Sequence, residues 1–259
     1  MTLAIYLINL DRATARRDAA LAQLSALGLT AEIVPAVDGA TLTPAQLAGY
    51  DRAGALAKSG RTLSAGEIGC YLSHVDCARR FLASGADHAL VLEDDFHADA
   101  DLPAFLQALA AHLGPRADWD VVNLGNAAKR FATTSAPITS GGVTRRLCVA
   151  HHFPVLTTAL YWSRPGAQAF LEACFPILRP VDQMLKDWCI RSGRGLALAE
   201  PPIRDSGAES LIGQTPGGTV RHRGERRPAY PLIRLRRSLW NSLLAGRRYL
   251  GAVSAPSRP

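Results

Sequence analysis

Ala89-Leu90-Val91-Leu92-Glu93-Asp94-Asp95 runs four apolar residues straight into three carboxylates. Such a run, bounded by polar residues, reads as a strand buried on both faces of an α/β sheet. Ligands of open α/β sheets gather at the carboxyl ends of strands, so the acids stand where a site belongs. Three adjacent carboxylates repel one another unless a cation or a hydrogen-bond network compensates them. On extended backbone alternate side chains share a face, so Glu93 and Asp95 can converge while Asp94 turns toward backbone or supporting groups. A hard cation such as Mg2+ or Mn2+ would take those oxygens together with the oxygens of a diphosphate. For the triplet alone, an acidic turn or helix start explains the residues equally well.

Outward from this strand the chain alternates in period. Ser64 and Glu67 have capping-box spacing, and the periodic run from there to Leu82, stopped by Ser84 and Gly85, is a helix leading into the acidic strand. Upstream, Leu3 to Leu10 is a strand, Ala13 to Leu27 a helix ending at Gly28, and Ala31 to Val37 a second strand closed by Asp38 and Gly39. Downstream come a helix from Leu102 to Leu113, a strand from Trp119 to Leu124, and residues 130 to 150 as hairpin or loop. Thr157 to Trp162 is then a strand, Pro165 to Cys174 and Val181 to Ile190 are helices, and Leu196 to Ala199 is a last short strand. This alternation predicts an α/β fold with a mostly parallel sheet flanked by helices. The Gly/Pro-rich stretch from Gly213 to Gly218 reads as a linker, dividing residues 1–212 from a tail at 213–259.

The net charge of +7 over 259 residues is unevenly placed. From Arg221 onward ten arginines face the single Glu225, a balance of +9 that leaves residues 1–220 at −2. Between Pro231 and Val253 the arginines interleave with Leu232, Ile233, Leu235, Leu239, Trp240, Leu243, Leu244, Tyr249 and Leu250. That pattern suits a basic amphipathic helix in an anionic headgroup layer, and equally a helix packing its apolar side on the domain. Nucleic acid is the weaker partner class for such a pattern. The five cysteines are odd in number and lack any C-x-x-C pair, which argues against a disulfide framework and a cysteine zinc site and for a reducing compartment. No signal peptide and no stretch of eighteen uncharged apolar residues is expected, so the protein is read as soluble or peripheral to a membrane.

Several stretches together resemble glycosyltransferase family 25, the group of lipopolysaccharide-biosynthesis and collagen-galactosyltransferase proteins, over roughly residues 4 to 212. They are Tyr6-Leu7-Ile8-Asn9-Leu10-Asp11-Arg12 with Arg16 and Arg17, then Ala36-Val37-Asp38-Gly39, and Gly66-Glu67-Ile68-Gly69-Cys70-Tyr71-Leu72-Ser73-His74. The acidic strand, Trp119-Asp120, Tyr161 with Gly166-Ala167, Pro180-Val181-Asp182 and Pro201 to Ile212 follow in order. Tyr161 to Arg164 and Ile203 to Asp205 depart from the family pattern, which bears on acceptor choice.

The resemblance implies a GT-A type, Rossmann-like fold and an inverting glycosyltransferase that moves a sugar, galactose first among candidates, from a UDP-sugar to lipopolysaccharide or another surface glycan. It implies Mn2+ or Mg2+ held by Glu93, Asp95 and His222. Asn9, Asp11, Arg12, Glu67, His74, Glu93 and Asp94 would bind the donor, and Asp182 would be the base that deprotonates the acceptor hydroxyl. Local physics offers each another duty: Glu67 as a capping partner of Ser64, His74 as a core histidine, Asp182 as an N-cap. Arg16 and Arg17 are expected to be solvated helix residues, and Ser210 matches the family's closing serine. The expected setting is the inner face of a cytoplasmic membrane. Two other readings stand beside the transferase: a metal-dependent nucleotidyltransferase, and a catalytically degenerate glycosyltransferase fold serving as a membrane-surface binding module.

Overall fold

The computed structural model describes residues 1–207 and 224–254. In chain order the elements are β1 (Leu3–Asn9), α1 (Thr14–Ala26), β2 (Glu32–Pro35), a 3-10 turn (Gly39–Thr41), α2 (Pro44–Leu47), α3 (Arg52–Ser59), α4 (Ala65–Ser84), β3 (His88–Glu93), β4 (Phe96–Ala98) and α5 (Leu102–Leu113). They continue as β5 (Val121–Asn123), β6 (Ala132–Ser140), β7 (Val143–Ala150), β8 (Ala159–Ser163), α6 (Arg164–Ala173), α7 (Val181–Ser192), β9 (Gly195–Leu198), β10 (Ile203–Asp205) and α8 (Tyr230–Ser254).

Eight strands form one sheet in the order β2-β1-β3-β8-β5-β9-β7-β6, and β4 pairs with β10 beside it. The sheet is mixed, which corrects the expectation of a mostly parallel one. β1 runs parallel to β2 and β3, and β5 runs parallel to β9. β8 lies antiparallel between β3 and β5, and β7 pairs antiparallel with both β6 and β9. The chain leaves β5, forms the β6–β7 hairpin and enters β8 from the same end, with no crossover helix between them.

The sheet is covered on both faces, as a Rossmann-like GT-A fold requires. Tyr6, Ala89 and Val91 pack with Tyr71, Val75 and Phe81 of α4. Leu7, Leu90 and Leu92, one residue out of phase, pack on the other face with Leu24 of α1 and Phe105 and Leu109 of α5. Each such buried side chain stabilises the fold by about 1.5–3 kcal/mol. This phase sends Glu93 toward α4.

The Gly66-to-His74 motif is largely a packing device. Ser64 and Glu67 form the capping box of α4. A Cβ on Gly69 would collide with the Val37 carbonyl oxygen, so only glycine admits this approach. Ser73 then receives the Val37 N–H at 2.9 Å, and Tyr71 donates to the Cys174 carbonyl at 2.6 Å. The motif thereby locks α4 against the loop after β2 and fixes where Cys70 and His74 point.

α8 returns to the domain by a side of mixed character, on which half-buried Ile233, Leu244 and Tyr249 accompany Asn241 and Ala245. Asn241 is buried and donates to Asp187 of α7 at 2.5 Å, while Ala245 is fully buried beside it. Leu232, Leu235, Leu239, Leu243, Leu250 and Val253 lie on the opposite side of the helix, each more than half exposed. Among the described residues no helix is long and apolar enough to cross a membrane.

Candidate functional site

The end of β3 is held by hydrogen bonds from three directions. Glu93 points to α4, where His74 Nε2 lies 3.2 Å from Oε1, and Thr157 donates to the same oxygen. Burial alone would raise the Glu93 pKa, but His74, Thr157 and the Arg16 charge outweigh it and hold the carboxyl below its usual range. Asp94 turns the other way, accepting from Asn9 Nδ2 at 2.6 Å, while Asn9 also donates to the Ala13 carbonyl. Arg16, from α1, reaches over the turn and pairs with both Asp94 and Asp95, at 2.9 Å to the latter. Arg16 is therefore not the solvated helix residue expected; its guanidinium supplies the compensating charge assigned above to a metal ion. Arg17 pairs with its neighbour Asp18 on the surface of α1.

Compensation at Asp95 is incomplete. Its Oδ1 is buried without a hydrogen-bond partner among the described residues, and so is Arg16 Nε. Burial, and then the Glu93 charge, push the Asp95 carboxyl up to about 6.

A cavity of about 880 Å3 opens beside this turn, within the size range of ligand pockets. Its lining includes the acids Glu67, Glu93, Asp95, Asp182 and Asp205, with Cys70, and the cations Arg61, Arg179, Lys186, Arg226, Arg234 and Arg237. Asp182 sits in the first turn of α7, whose cap is Pro180, so it is not the N-cap; burial raises its pKa. Glu67 bonds the Ser64 amide at 2.8 Å and receives both terminal nitrogens of Arg61, which commits it to structure.

The structure thus brings Glu67, Glu93, Asp95 and Asp182 to one cavity, with His74 behind Glu93. Asn9 and Asp94 are joined on the far side of the turn, Asp11 is exposed, and Arg12 pairs with Asp38. None of these four lines the cavity. His222, expected as the third metal ligand, and Ser210 lie outside the described residues.

Cys70, His74 and Glu93 each offer a ligand atom within 4.8 Å of the others. This cluster could hold a cation, although the cysteine spacing argued against a zinc site, and its thiol, imidazole and carboxylate suit Zn2+ better than Mg2+ or Mn2+. Sequence reasoning missed Cys70, yet the signal was present: Cys70 and His74 are four residues apart on a helix legible from its capping box.

The model of glycosyltransferase family 25 (LPS biosynthesis protein) matches residues 2–185. A rat protein named probable inactive glycosyltransferase 25 family member 3 is 30% identical over 192 residues, 70% of this chain and 32% of its own. Counterparts in human, cattle and mouse also carry the inactive designation. Procollagen galactosyltransferase 1 of Danio rerio is 32% identical over 130 residues, 47% of this chain and 21% of its own. The chain spans about a third or less of the length of these relatives. A crystal structure of mannose-1-phosphate geranyltransferase from Thermus thermophilus superposes with a TM-score of 0.34 at 14% identity, covering 80% of this chain and 77% of that one.

The expectation of an active hexosyltransferase is corrected by these relatives: proteins of the same family named inactive match the region that carries the acidic motif. The acidic triplet itself is intact, and Arg16 pairs with two of its members. With the family model covering most of its length, the chain belongs to glycosyltransferase family 25.

Proposed function

We propose that this chain is a glycosyltransferase-fold protein without transferase activity that acts as a binding module at an anionic membrane surface, such as a cytoplasmic leaflet. Residues 1–212 are the glycosyltransferase-like unit and residues 213–259 its basic attachment. A nucleotide sugar or surface glycan, lipopolysaccharide among them, is on this reading a ligand held in the cavity, with Glu93, Asp95 and Asp182 as binding groups and a divalent cation at Cys70, His74 and Glu93.

The orientation of α8 carries the membrane assignment. A surface helix ordinarily buries its apolar stripe and shows its polar side to water. Here Asn241 and Ala245 face the domain with half-buried Ile233, Leu244 and Tyr249, while a second apolar ridge of Leu232, Leu235, Leu239 and Leu243 faces outward. The helix holds five arginines and no acidic residue, and exposed Arg236 and Arg247 flank the leucines. Burying the ridge in acyl chains while the arginines meet lipid phosphates satisfies both properties.

The test is co-sedimentation with phosphatidylglycerol and phosphatidylcholine vesicles, read also by Trp240 fluorescence. Trp240 is 60% exposed whereas Trp119 and Trp162 are buried, so insertion should shift its emission to the blue. Binding to anionic vesicles that weakens with salt and is lost in Leu235→Ser/Leu239→Ser supports the proposal. A leucine ridge that instead forms a dimer by light scattering, with no vesicle binding, would overturn it.

A further inference from the structure

The cavity wall built by α7 and α8 carries more positive charge than the described residues neutralise. Arg61 is committed to Glu67, and Arg179 to Asp187. Arg226 lies over the Tyr230 ring at 4.9 Å. The remaining three are different. Arg237 reaches only the Gln183 side chain, at 3.4 Å, and among the described residues neither Lys186 nor Arg234 has a hydrogen-bond or ion-pair partner. Lys186 and Arg237 are both half-buried, and all three line the cavity.

Cations brought together out of bulk water without counter-charges are costly. Burial lowers the pKa of Lys186, and the Arg237 charge lowers it further against the pull of Asp187. For Arg237 burial is again the first cause of its lowering, with Arg179 and Arg61 adding to it. Asp187, the nearest acid, is already shared by Arg179 and Asn241. Asp182, four residues before Lys186 on the same helix, pulls on its charge but makes no ion pair with it among the described residues. The deficit is therefore of negative charge, at a place open to a ligand.

We propose that Lys186, Arg234 and Arg237 form a phosphate-binding wall that takes the phosphate or diphosphate group of a phosphoester ligand, apart from the acidic turn after β3. Arginine supplies a planar fork for phosphate oxygens and lysine a movable point charge, and neutralising both removes their mutual repulsion. This rests on the reading of the chain as a binding protein.

The experiment is titration calorimetry of the full chain with pyrophosphate, beside Lys186→Gln/Arg237→Gln and, as control, Arg80→Gln, whose guanidinium pairs with Asp76 and Glu32 on the outer side of α4. The expected result is binding that weakens at least roughly tenfold in the double variant and is unchanged in the control. The double variant should melt no lower than the wild type, because it loses repulsion rather than ion pairs; a variant that fails to fold is replaced by Arg234→Gln, which is exposed. Competition between pyrophosphate and vesicles of phosphatidic acid separates a soluble phosphoester from a lipid headgroup. The membrane reading fails separately, since Leu235→Ser/Leu239→Ser should lose vesicles and keep pyrophosphate. Equal affinity in wild type and double variant, or no affinity for either phosphate source, overturns the proposal.

Discussion

Arg16 lies 2.9 Å from Asp95 across the turn that follows β3, and the same guanidinium nitrogen pairs with Asp94. One long side chain from α1 thereby supplies the positive charge that the acidic strand end demands. Arg16→Ala removes it and should destabilise the fold by about 3 kcal/mol, because two partly buried carboxylates lose their only basic partner among the described residues. Chemical denaturation measures this loss, and Mn2+ should restore part of it in the variant while leaving the wild type unmoved.

Asp95 has a pH signature. Its carboxyl is raised to about 6 by burial and then by Glu93, so the folded state holds the proton that the unfolded chain releases. Stability contributed by this group is present at low pH and is lost as pH rises through about 6. Asp95→Asn should therefore exceed the wild type in stability at pH 7 to 8, by about 1–2 kcal/mol once solvent screening is discounted. The gap should close near pH 4, and melting curves across that range decide it.

His88 works in the opposite direction. It is buried, and its ring packs against Trp119 and Tyr161, whose hydroxyl lies 2.7 Å from Nδ1. Burial lowers its pKa, so the folded state binds fewer protons and stability falls as pH drops below about 6.5. His88→Phe should flatten the acid side of the stability profile, at a cost of about 1–3 kcal/mol for leaving the Tyr161 hydroxyl without its partner.

The docking of α8 depends on Asn241 and Asp187. Asn241→Leu takes a hydrogen bond from a buried carboxylate that Arg179 also holds. Amide exchange should quicken along residues 230–254 while β3 keeps its protection, with an overall loss of about 1–3 kcal/mol. Uniform quickening would mean that α8 is integral to the core.

The cluster at Cys70, His74 and Glu93 should prefer Zn2+ to Mg2+. Cobalt substitution gives a direct readout, since a thiolate ligand adds a near-ultraviolet charge-transfer band. Cys70→Ser should abolish that band, and Cys77→Ser, also on α4 but outside the cluster, should leave it intact.

The elements that position the site are legible in the sequence because their signals are local. Ser64 with Glu67 marks the start of α4, and the run from Ala89 into Glu93 marks β3 and where it ends. Strand direction is harder: β8 falls where its apolar run predicts, but its antiparallel sense follows from what is missing between it and β5, a crossover helix. The weakly apolar α3 and the three-residue β4 and β10 give no periodicity to read. Arg16 escapes such a reading because helix pattern places a Cα, whereas its reach to residues nearly eighty positions away depends on how α1 packs. Lys186 and Arg237 sit on separate helices, and only the docking of α8 on α7 makes them one cationic wall.

The most direct test of the central claim, that the acidic turn is closed by Arg16 and transfers no sugar, is release of UDP from a panel of UDP-sugars with a truncated lipopolysaccharide acceptor, with and without Mn2+. The expected result is release no faster than the uncatalysed rate, the same for wild type and Asp95→Ala. Metal-dependent release with any one sugar, abolished by Asp95→Ala, would contradict it.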